Sequence, residues 1–243
     1  MPRFALGLPA LLLAAGLTAA QEKPADILQK AIKAHGGEAN LKKLPAGLSK
    51  IAGTVVEPKL PFTGSMAFSV PDKVRVEMVF EIGGQKASTV QIINGDKVSQ
   101  TENGVKAKLT VAAENELRES AAIQELSQLF PLLGDKYVMA AGKDGTFDGK
   151  ECVTLVVKAK GLKETTLAFD KKTGLLTAMQ RKGVNPSQKV VDELTVFSEF
   201  KTVEGLVVPT KSKVSHDGRP FLELTVVEYK PLPKVDDKLF VVE

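Results

Sequence analysis

Hydrophobic and polar residues recur along this chain with two different periods. From Pro24 to His35 the apolar residues return every three or four positions, which predicts an amphipathic helix that ends at Gly36 and Gly37. A shorter helix is predicted from Glu38 to Leu44, before Pro45. Beyond Pro45 the period falls to two, which is typical of half-buried β-strands.

The alternation is clearest on both sides of the turn at Pro71 and Asp72. Apolar residues there alternate with polar ones, so one face of the predicted sheet is apolar and the other is polar and exposed to solvent. The apolar positions are Met66, Phe68 and Val70, followed by Val74, Val76, Met78, Phe80 and Ile82. A further strand is predicted from 88 to 93, and the Asn-Gly pairs at 94–95 and 103–104 predict hairpin turns.

One helical stretch, Thr110 to Leu133, interrupts this pattern, and Pro131 is predicted to kink or end it. After Gly134 the period of two returns and continues to a tail at Pro231–Pro233. The strands predicted in this half cover 136–140, 150–159, 163–170, 175–182, 190–200, 206–214 and 221–229. Together with the first half, the pattern predicts about ten or eleven strands.

The turns between these strands fix the fold class. Reversals of about two to five residues join antiparallel strands, because a parallel return needs a longer crossover. A long sheet with one apolar face is expected to curl around it. We therefore predict an α+β fold, an incomplete antiparallel β-barrel with meander order and helices that cover its open mouth. No break in composition marks a second domain, so residues 21–243 are predicted to form one domain.

The first twenty residues have the pattern of a targeting segment. Arg3 precedes an apolar run from Phe4 to Leu17 that is too short to span a bilayer, and small residues follow up to Ala20. We predict that residues 1–20 are a signal peptide cleaved after Ala20. No cysteine follows the run directly, so no lipid anchor is expected. The mature protein is therefore predicted to be periplasmic or otherwise secreted, and not an integral membrane protein.

Composition and single residues exclude several kinds of chemistry. The net charge is only +4 and aromatic residues make up 5% of the chain, which argues against nucleic-acid binding. Cys152 is the only cysteine, so no intramolecular disulfide forms, and we expect a half-buried thiol on a strand. His35 is expected to be an imidazolium that complements a helix end, and His216 to face solvent in a hairpin turn. Because no metal-binding, nucleophile-elbow or phosphate-loop motif occurs, we predict no catalytic residue, no metal and no cofactor.

The apolar face of the predicted sheet has two interpretations. Its residues either fill an ordinary core or, with a helical cover, enclose a cavity for an apolar ligand. Periodicity does not separate the two.

Six short motifs occur in an order that resembles a known family. In sequence they are Ala34-His35-Gly36-Gly37, Val70-Pro71-Asp72-Lys73-Val74-Arg75, Ile93-Asn94-Gly95-Asp96-Lys97-Val98, Leu167-Ala168-Phe169-Asp170 with Thr173-Gly174-Leu175, Val203-Glu204-Gly205-Leu206-Val207-Val208-Pro209, and Asp236-Asp237-Lys238-Leu239-Phe240. In this order they resemble the LolA/LolB-like superfamily of periplasmic lipoprotein carriers, particularly its outer membrane lipoprotein-sorting relatives. The resemblance covers nearly the whole mature chain.

The resemblance implies an incomplete barrel with helices in its mouth and a cavity that binds lipoprotein acyl chains or other lipids. On this hypothesis the helical lid consists of Ile123, Leu126 and Phe130. The cavity lining would be Met66, Phe68, Val74, Val76, Met78, Phe80, Leu167 and Phe169. One feature departs from the family pattern. In the family a basic residue directly before the proline of the reversal helps to hold the lid, whereas the matching residue here is Val70. Arg75 falls on the solvent-exposed face.

The predicted function is that of an envelope protein without bond chemistry. It binds lipid or lipoprotein acyl chains, carries them between membranes and meets a membrane-bound donor or acceptor protein. Each buried methylene is worth about 0.8 kcal/mol, so a lipid with several chains leaves a membrane slowly unless a carrier shields it. The alternative is an interaction or sensor module that uses the same fold without a lipid cargo.

Overall fold

The structure is a computed structural model that describes residues 22–242. The predicted signal peptide lies outside these described residues. Helices α1, α2 and α3 cover Pro24–Ala34, Glu38–Lys43 and Val111–Ser127, and 3-10 turns cover Phe130–Leu133 and Asp237–Phe240. Strands β1 to β14 are, in order, Ala46–Val55, Leu60–Ser69, Lys73–Ile82, Gln85–Asn94, Lys97–Glu102, Val105–Lys106, Val138–Ala141, Gly145–Phe147, Lys150–Ala159, Leu162–Asp170, Leu176–Val184, Val190–Val203, Leu206–His216 and Arg219–Leu232.

All the strands belong to one antiparallel sheet. Its order is β6-β5-β4-β3-β2-β1-β14-β13-β12-β11-β10-β9-β7, and β8 pairs with β9 off this path. The first strand pairs with the last, so β1 and β14 lie at the centre of the sheet and its two edges come from the middle of the chain. The sheet is open, because its edge strands β6 and β7 do not pair with each other. These findings confirm the predicted incomplete antiparallel barrel.

The described residues form fourteen strands, not ten or eleven. The additional ones are β1, β6 and β8. Alternation fails to predict β1 because Gly47 and Gly53 replace side chains on its inner face, and β6 and β8 are two and three residues long, too short for a period to be recognised.

Helix α3 ends earlier than the sequence predicts. It begins after Thr110, whose hydroxyl accepts a hydrogen bond from the Ala113 backbone N–H, and it ends at Ser127. Leu129 then adopts a φ of 60°, which reverses the chain. Pro131 therefore does not end the helix but lies in the first turn of the following 3-10 segment. This reversal buries both Leu129 and Leu132.

The main core lies between α1, the second half of α3 and strands β9 to β11. Its buried members are Ile27, Leu28, Ala31, Ile32, Leu41, Leu126, Leu129, Leu132, Tyr137, Leu155, Val157, Leu167, Phe169, Leu176, Met179 and Leu206. A second cluster joins the first half of α3, through Leu117 and Ala121, to Phe68, Val74 and Ile93 on β2 to β4. Helix α3 thus contacts both sides of the curled sheet and faces the central strands across its interior.

Candidate functional site

A cavity of about 290 Å³ lies between α3 and the inner face of the central strands. Most of its wall is apolar. Aliphatic, aromatic and methionine side chains come from α2, β1, β2 and β11 to β14, and the last turns of α3 form the opposite wall. The lining comprises His35, Leu41, Ser49, Met66, Phe68, Ile123, Gln124, Ser127, Gln128, Leu176, Met179, Thr195, Phe197, Leu206, Val207, Val208, Pro209, Lys211, Ser212, Leu224, Val226 and Tyr229.

Glycine on β1 positions two of the aromatic walls. Gly47 lies opposite Phe68 in the β1–β2 register, and a Cβ at Gly47 would come within 2.7 Å of the Tyr229 ring and 2.8 Å of the Phe68 ring. Both rings therefore occupy the space that a side chain at position 47 would fill. Burial raises the pKa of Tyr229 to about 12, so its phenol stays neutral beside the cavity.

His35 lies where α1 ends and the cavity begins. It is the C-cap residue of α1, but it is buried and neutral, so the expected imidazolium is wrong. Its Nδ1 lies 2.8 Å from the Val207 carbonyl oxygen, and its Nε2 accepts a hydrogen bond from the Leu176 backbone N–H at 3.0 Å. Burial lowers the pKa of His35 to about 4, despite the opposing hydrogen bond with Val207. The ring therefore ties α1 to β11 and β13 and contributes to the lining of the cavity.

A cluster of buried charges ties the first half of α3 to the sheet. The Arg181 guanidinium on β11 contacts Glu119 at 3.0 Å and Glu193 at 2.8 Å, and it also bonds Glu116. Lys163 on β10 lies 3.3 Å from Glu116 and 3.1 Å from Glu119. The Arg181 side chain is only 8% exposed, so these pairs are poorly screened by solvent. We call Arg181, Lys163, Glu116, Glu119 and Glu193 the α3 ion cluster.

The α3 ion cluster borders the cavity. On β11 the lining residue Met179 is two positions from Arg181, and on β12 Thr195 is two positions from Glu193, so each pair shares a sheet face. On α3 the lining residue Ile123 is one helical turn from Glu119. Burial raises the pKa of Glu119, and the hydrogen bond from Lys163 partly offsets this shift. The apolar cavity thus ends at a network of paired charges.

The structure brings two of the predicted cavity-lining residues and one of the predicted lid residues together at this cavity. Met66 and Phe68 line it from β2, and Ile123 lines it from α3.

The other predicted contacts do not line the cavity. Val74 and Val76 pack with Phe68 in the second cluster, whereas Leu167, Phe169 and Leu126 are fully buried in the main core, with Phe130 packed against it. Phe80 contacts Phe62, with ring centroids 5.7 Å apart, and Met78 lies half-buried between Gly64 and Thr89 in register. Ile82, at the end of the same predicted face, is 55% exposed.

Several lining residues were missed by the sequence analysis. Most of them lie on the central strands, namely Met179, Phe197, Val208, Leu224 and Val226. Their strands were predicted, but only the pairing of β1 with β14 places these strands opposite α3. On β14 the alternation of Leu224 and Val226 with Glu223 and Thr225 was a local signal of an inward face.

Two further residues differ from their expected environments. His216 does not face solvent, because its ring stacks on Phe221 with centroids 4.1 Å apart and its Nε2 lies 3.3 Å from the Glu193 carboxylate. Cys152 is fully buried, not half-buried, and its Sγ lies 3.3 Å from the Thr177 hydroxyl in a small cluster with Ala168 and Ala178. Neither forms a reactive group beside the cavity.

Val70 and Arg75 lie where the alternation of the strand predicts. Val70 packs against the second cluster, and the Arg75 guanidinium lies 3.3 Å from the Glu77 carboxylate on the same strand. Neither contacts α3 through an ion pair. The charges that bond the first half of α3 to the sheet come instead from β10 and β11, on the opposite side of the barrel.

Within residues 22–242, no group of three or more histidine, cysteine or acidic side chains converges as a metal site would require. None of the helices in this part of the chain is both long enough and apolar enough to cross a membrane.

Comparisons with known proteins bear on the fold. No protein-family model and no curated protein matches the sequence. Among solved structures, a LolA superfamily protein from Nitrosomonas europaea matches with a TM-score of 0.59 and 10% identity over 90% of this chain and 98% of that chain. The chain has the LolA fold.

Two other solved structures share this fold. A domain assigned as an outer membrane lipoprotein-sorting protein from Vibrio parahaemolyticus matches with a TM-score of 0.54 and 10% identity, over 88% of this chain and 94% of that chain. A DUF1329 family protein from Desulfovibrio piger matches with a TM-score of 0.58 and 12% identity, over 89% of this chain and 96% of that chain. These matches confirm the resemblance that the ordered motifs predicted, and at such low identities the LolA fold is what they share.

Proposed function

We propose that this protein binds aliphatic chains of lipids or lipoproteins in the cavity beneath α3 and carries them through the cell envelope. The observation that carries the proposal is an apolar cavity of about 290 Å³ at the centre of a LolA fold. The proposed ligand contacts are Met66 and Phe68, predicted as cavity lining, and Ile123, predicted as part of the lid. Met179, Phe197, Leu224 and Val226 join them. A membrane-bound donor or acceptor protein would complete the transfer.

The chemistry of the wall suits a hydrocarbon chain. Aliphatic and aromatic side chains exclude water, and the two methionines adapt to a ligand without a fixed shape. Transfer of a chain from water into such a wall is favourable by about 0.8 kcal/mol for each buried methylene. His35, the one imidazole at the cavity, uses both ring nitrogens for backbone hydrogen bonds. The site thus supports binding without bond chemistry.

The test is native mass spectrometry, followed by lipid extraction, on protein purified from its host without detergent. We expect one bound lipid or acylated peptide per chain. Val226→Asp places a carboxylate in the cavity wall and should release the ligand, because an unpaired charge in an apolar site is costly.

The matched control is Val227→Asp. Val227 is the next residue on β14 but is 66% exposed on the outer face, so its carboxylate should leave the bound lipid in place. A chain that carries no lipid and takes up no fluorescent fatty acid would refute the proposal. It would also favour an envelope interaction or sensor module on the same fold.

A further inference from the structure

We infer that the cavity is a site for a single aliphatic chain, such as a fatty acid or a lysophospholipid, and not for a lipid with three chains. This inference rests on the proposed function and names its substrate class. Its first support is size. A cavity of about 290 Å³ lies at the lower end of the range for small-molecule pockets, about 300 to 1,000 Å³. Three acyl chains side by side need a much wider space.

The second support is that the walls are fixed. The central strands form continuous antiparallel ladders from β11 through β14 to β1 and β2, so this wall does not widen without loss of backbone hydrogen bonds. Outside these ladders lie α3, His35 and the short helix α2. His35 bonds the backbone of β11 and β13, and Leu41 of α2 is buried in the main core, so enlargement of the cavity requires α3 to move.

Helix α3 is held at both ends. In its first half, Glu116 and Glu119 bond Arg181 and Lys163 in the α3 ion cluster. Arg118 donates a hydrogen bond from Nε to the Asp96 carbonyl oxygen at 2.9 Å, which holds the helix to the β4–β5 turn.

In its second half, Leu126 is fully buried and the Glu125 carboxylate accepts a hydrogen bond from the Tyr137 hydroxyl at 2.6 Å. Lys136 bonds the same carboxylate. These contacts reach strands on both sides of the barrel, so α3 does not swing about one end. The cavity therefore keeps the width of one chain unless buried ion pairs break.

Hydroxyls on the wall suit the polar end of such a ligand. Ser49, Thr195 and Ser212 line the cavity, and their hydroxyls have no hydrogen-bond partner among residues 22–242. Thr195 and Ser212 lie on the neighbouring strands β12 and β13, because Ser212 pairs with Phe197 two positions from Thr195. A carboxyl or glycerol group could hydrogen-bond these two hydroxyls while its chain lies along Phe197 towards Met66 and Ser49. Arg181 acts as a positioning residue that sets the width of the site through α3.

The test is displacement of a fluorescent fatty acid by four probes: palmitic acid, palmitoyl lysophosphatidylglycerol, dipalmitoyl phosphatidylglycerol and a tripalmitoylated cysteinyl peptide. We expect the two single-chain probes to bind about tenfold or more tightly than the tripalmitoylated peptide. The relative affinities for palmitic acid and palmitoyl lysophosphatidylglycerol distinguish a fatty-acid site from a lysolipid site. Equal or tighter binding of the tripalmitoylated peptide overturns the inference and leaves the proposed function standing. If none of the probes binds, both fail.

Arg181→Met tests the role of α3. We expect this variant to gain affinity for the tripalmitoylated peptide and to show about tenfold faster amide hydrogen exchange in residues 111–127. Lys50→Met, which removes an exposed ion pair with Glu228 on the outer face, is the control and should change neither. If Arg181→Met does not fold, Glu116→Gln removes one charge of the cluster with little change in shape. Folded variants with unchanged exchange and unchanged ligand preference overturn the role assigned to Arg181.

Discussion

Two regions of this sheet share the same alternation of apolar and polar residues but differ in what covers them. On β9 and β10 the inward side chains, among them Leu155, Val157, Leu167 and Phe169, are fully buried against α1 and the second half of α3. On β12 to β14 the inward side chains, among them Phe197, Leu224 and Val226, remain half-buried and surround the cavity. One region is a packed core, and the other borders a cavity.

The two regions differ in burial because different helices face them. Helix α1 lies on the β9 side and fills its concave face, whereas α3 spans from one side of the barrel to the other and leaves space beneath its last turns. Inward side chains of the central strands such as Leu224 and Val226 therefore border this space, and Phe197 packs only at the edge of the main core. The same residue types form a packed core or the wall of a cavity according to the distance of the facing helix.

The largest expected effect comes from truncating one phenylalanine in each region. Phe169→Ala creates a new void in the main core, and we expect it to lower the free energy of unfolding by about 3–5 kcal/mol. Phe197→Ala enlarges a cavity that already exists, so we expect a loss of about 1–2 kcal/mol, close to the transfer term alone. Urea denaturation of the ligand-free proteins measures both.

The same pair of variants distinguishes the regions by ligand binding. Phe197→Ala should alter lipid uptake, and Phe169→Ala, where it folds, should not. Similar stability losses at the two positions would mean that the central strands are packed as tightly in solution as the core, which contradicts the contrast between the regions.

The next effect concerns the boundary between the regions. Arg181→Met leaves three carboxylates of the α3 ion cluster without their main partner, and we expect a loss of about 3 kcal/mol, because breaking a buried ion network from one side is costly. Lys50→Met removes an exposed pair and should cost less than about 1 kcal/mol. Thermal denaturation of both variants compares them, and equal losses would show that the cluster is solvated like a surface pair.

Much of the fold was predictable because its signals are local. Alternation, Asn-Gly turns and short reversals predict an antiparallel meander, and these features do not depend on distant partners. The pairing of β1 with β14 is a long-range event, and the inner face of β1 carries glycines, so this central pair escaped prediction. The end of α3 escaped prediction too, because the reversal at Leu129 depends on the burial of that side chain.

The candidate site was only partly predictable. Met66, Phe68 and Ile123 lie at the cavity, but Leu167 and Phe169 follow the same alternation and lie in the core. Periodicity shows which face of a strand turns inward, not whether a helix fills the space beyond it. The α3 ion cluster was equally hidden, because Arg181 and Glu116 are 65 residues apart in the sequence.

The smallest of these effects is a pH dependence at His35, where the core and the cavity meet. Burial lowers the pKa of folded His35 to about 4 from its ordinary value of 6.5. The unfolded chain therefore takes up this proton below pH 6.5, while the folded chain resists until about pH 4. The stability that neutral His35 provides is complete above pH 6.5 and is lost as the pH falls towards 4.

We expect this group to lower the free energy of unfolding by about 2 kcal/mol between pH 7.5 and pH 4.5. His35→Gln keeps a neutral polar side chain but has no proton to gain, so the difference in stability between the wild-type protein and this variant should shrink across that window. Urea denaturation of both proteins at several pH values measures the difference. Parallel curves would show that the His35 ring is solvated in the folded protein and that water reaches the cavity beside it.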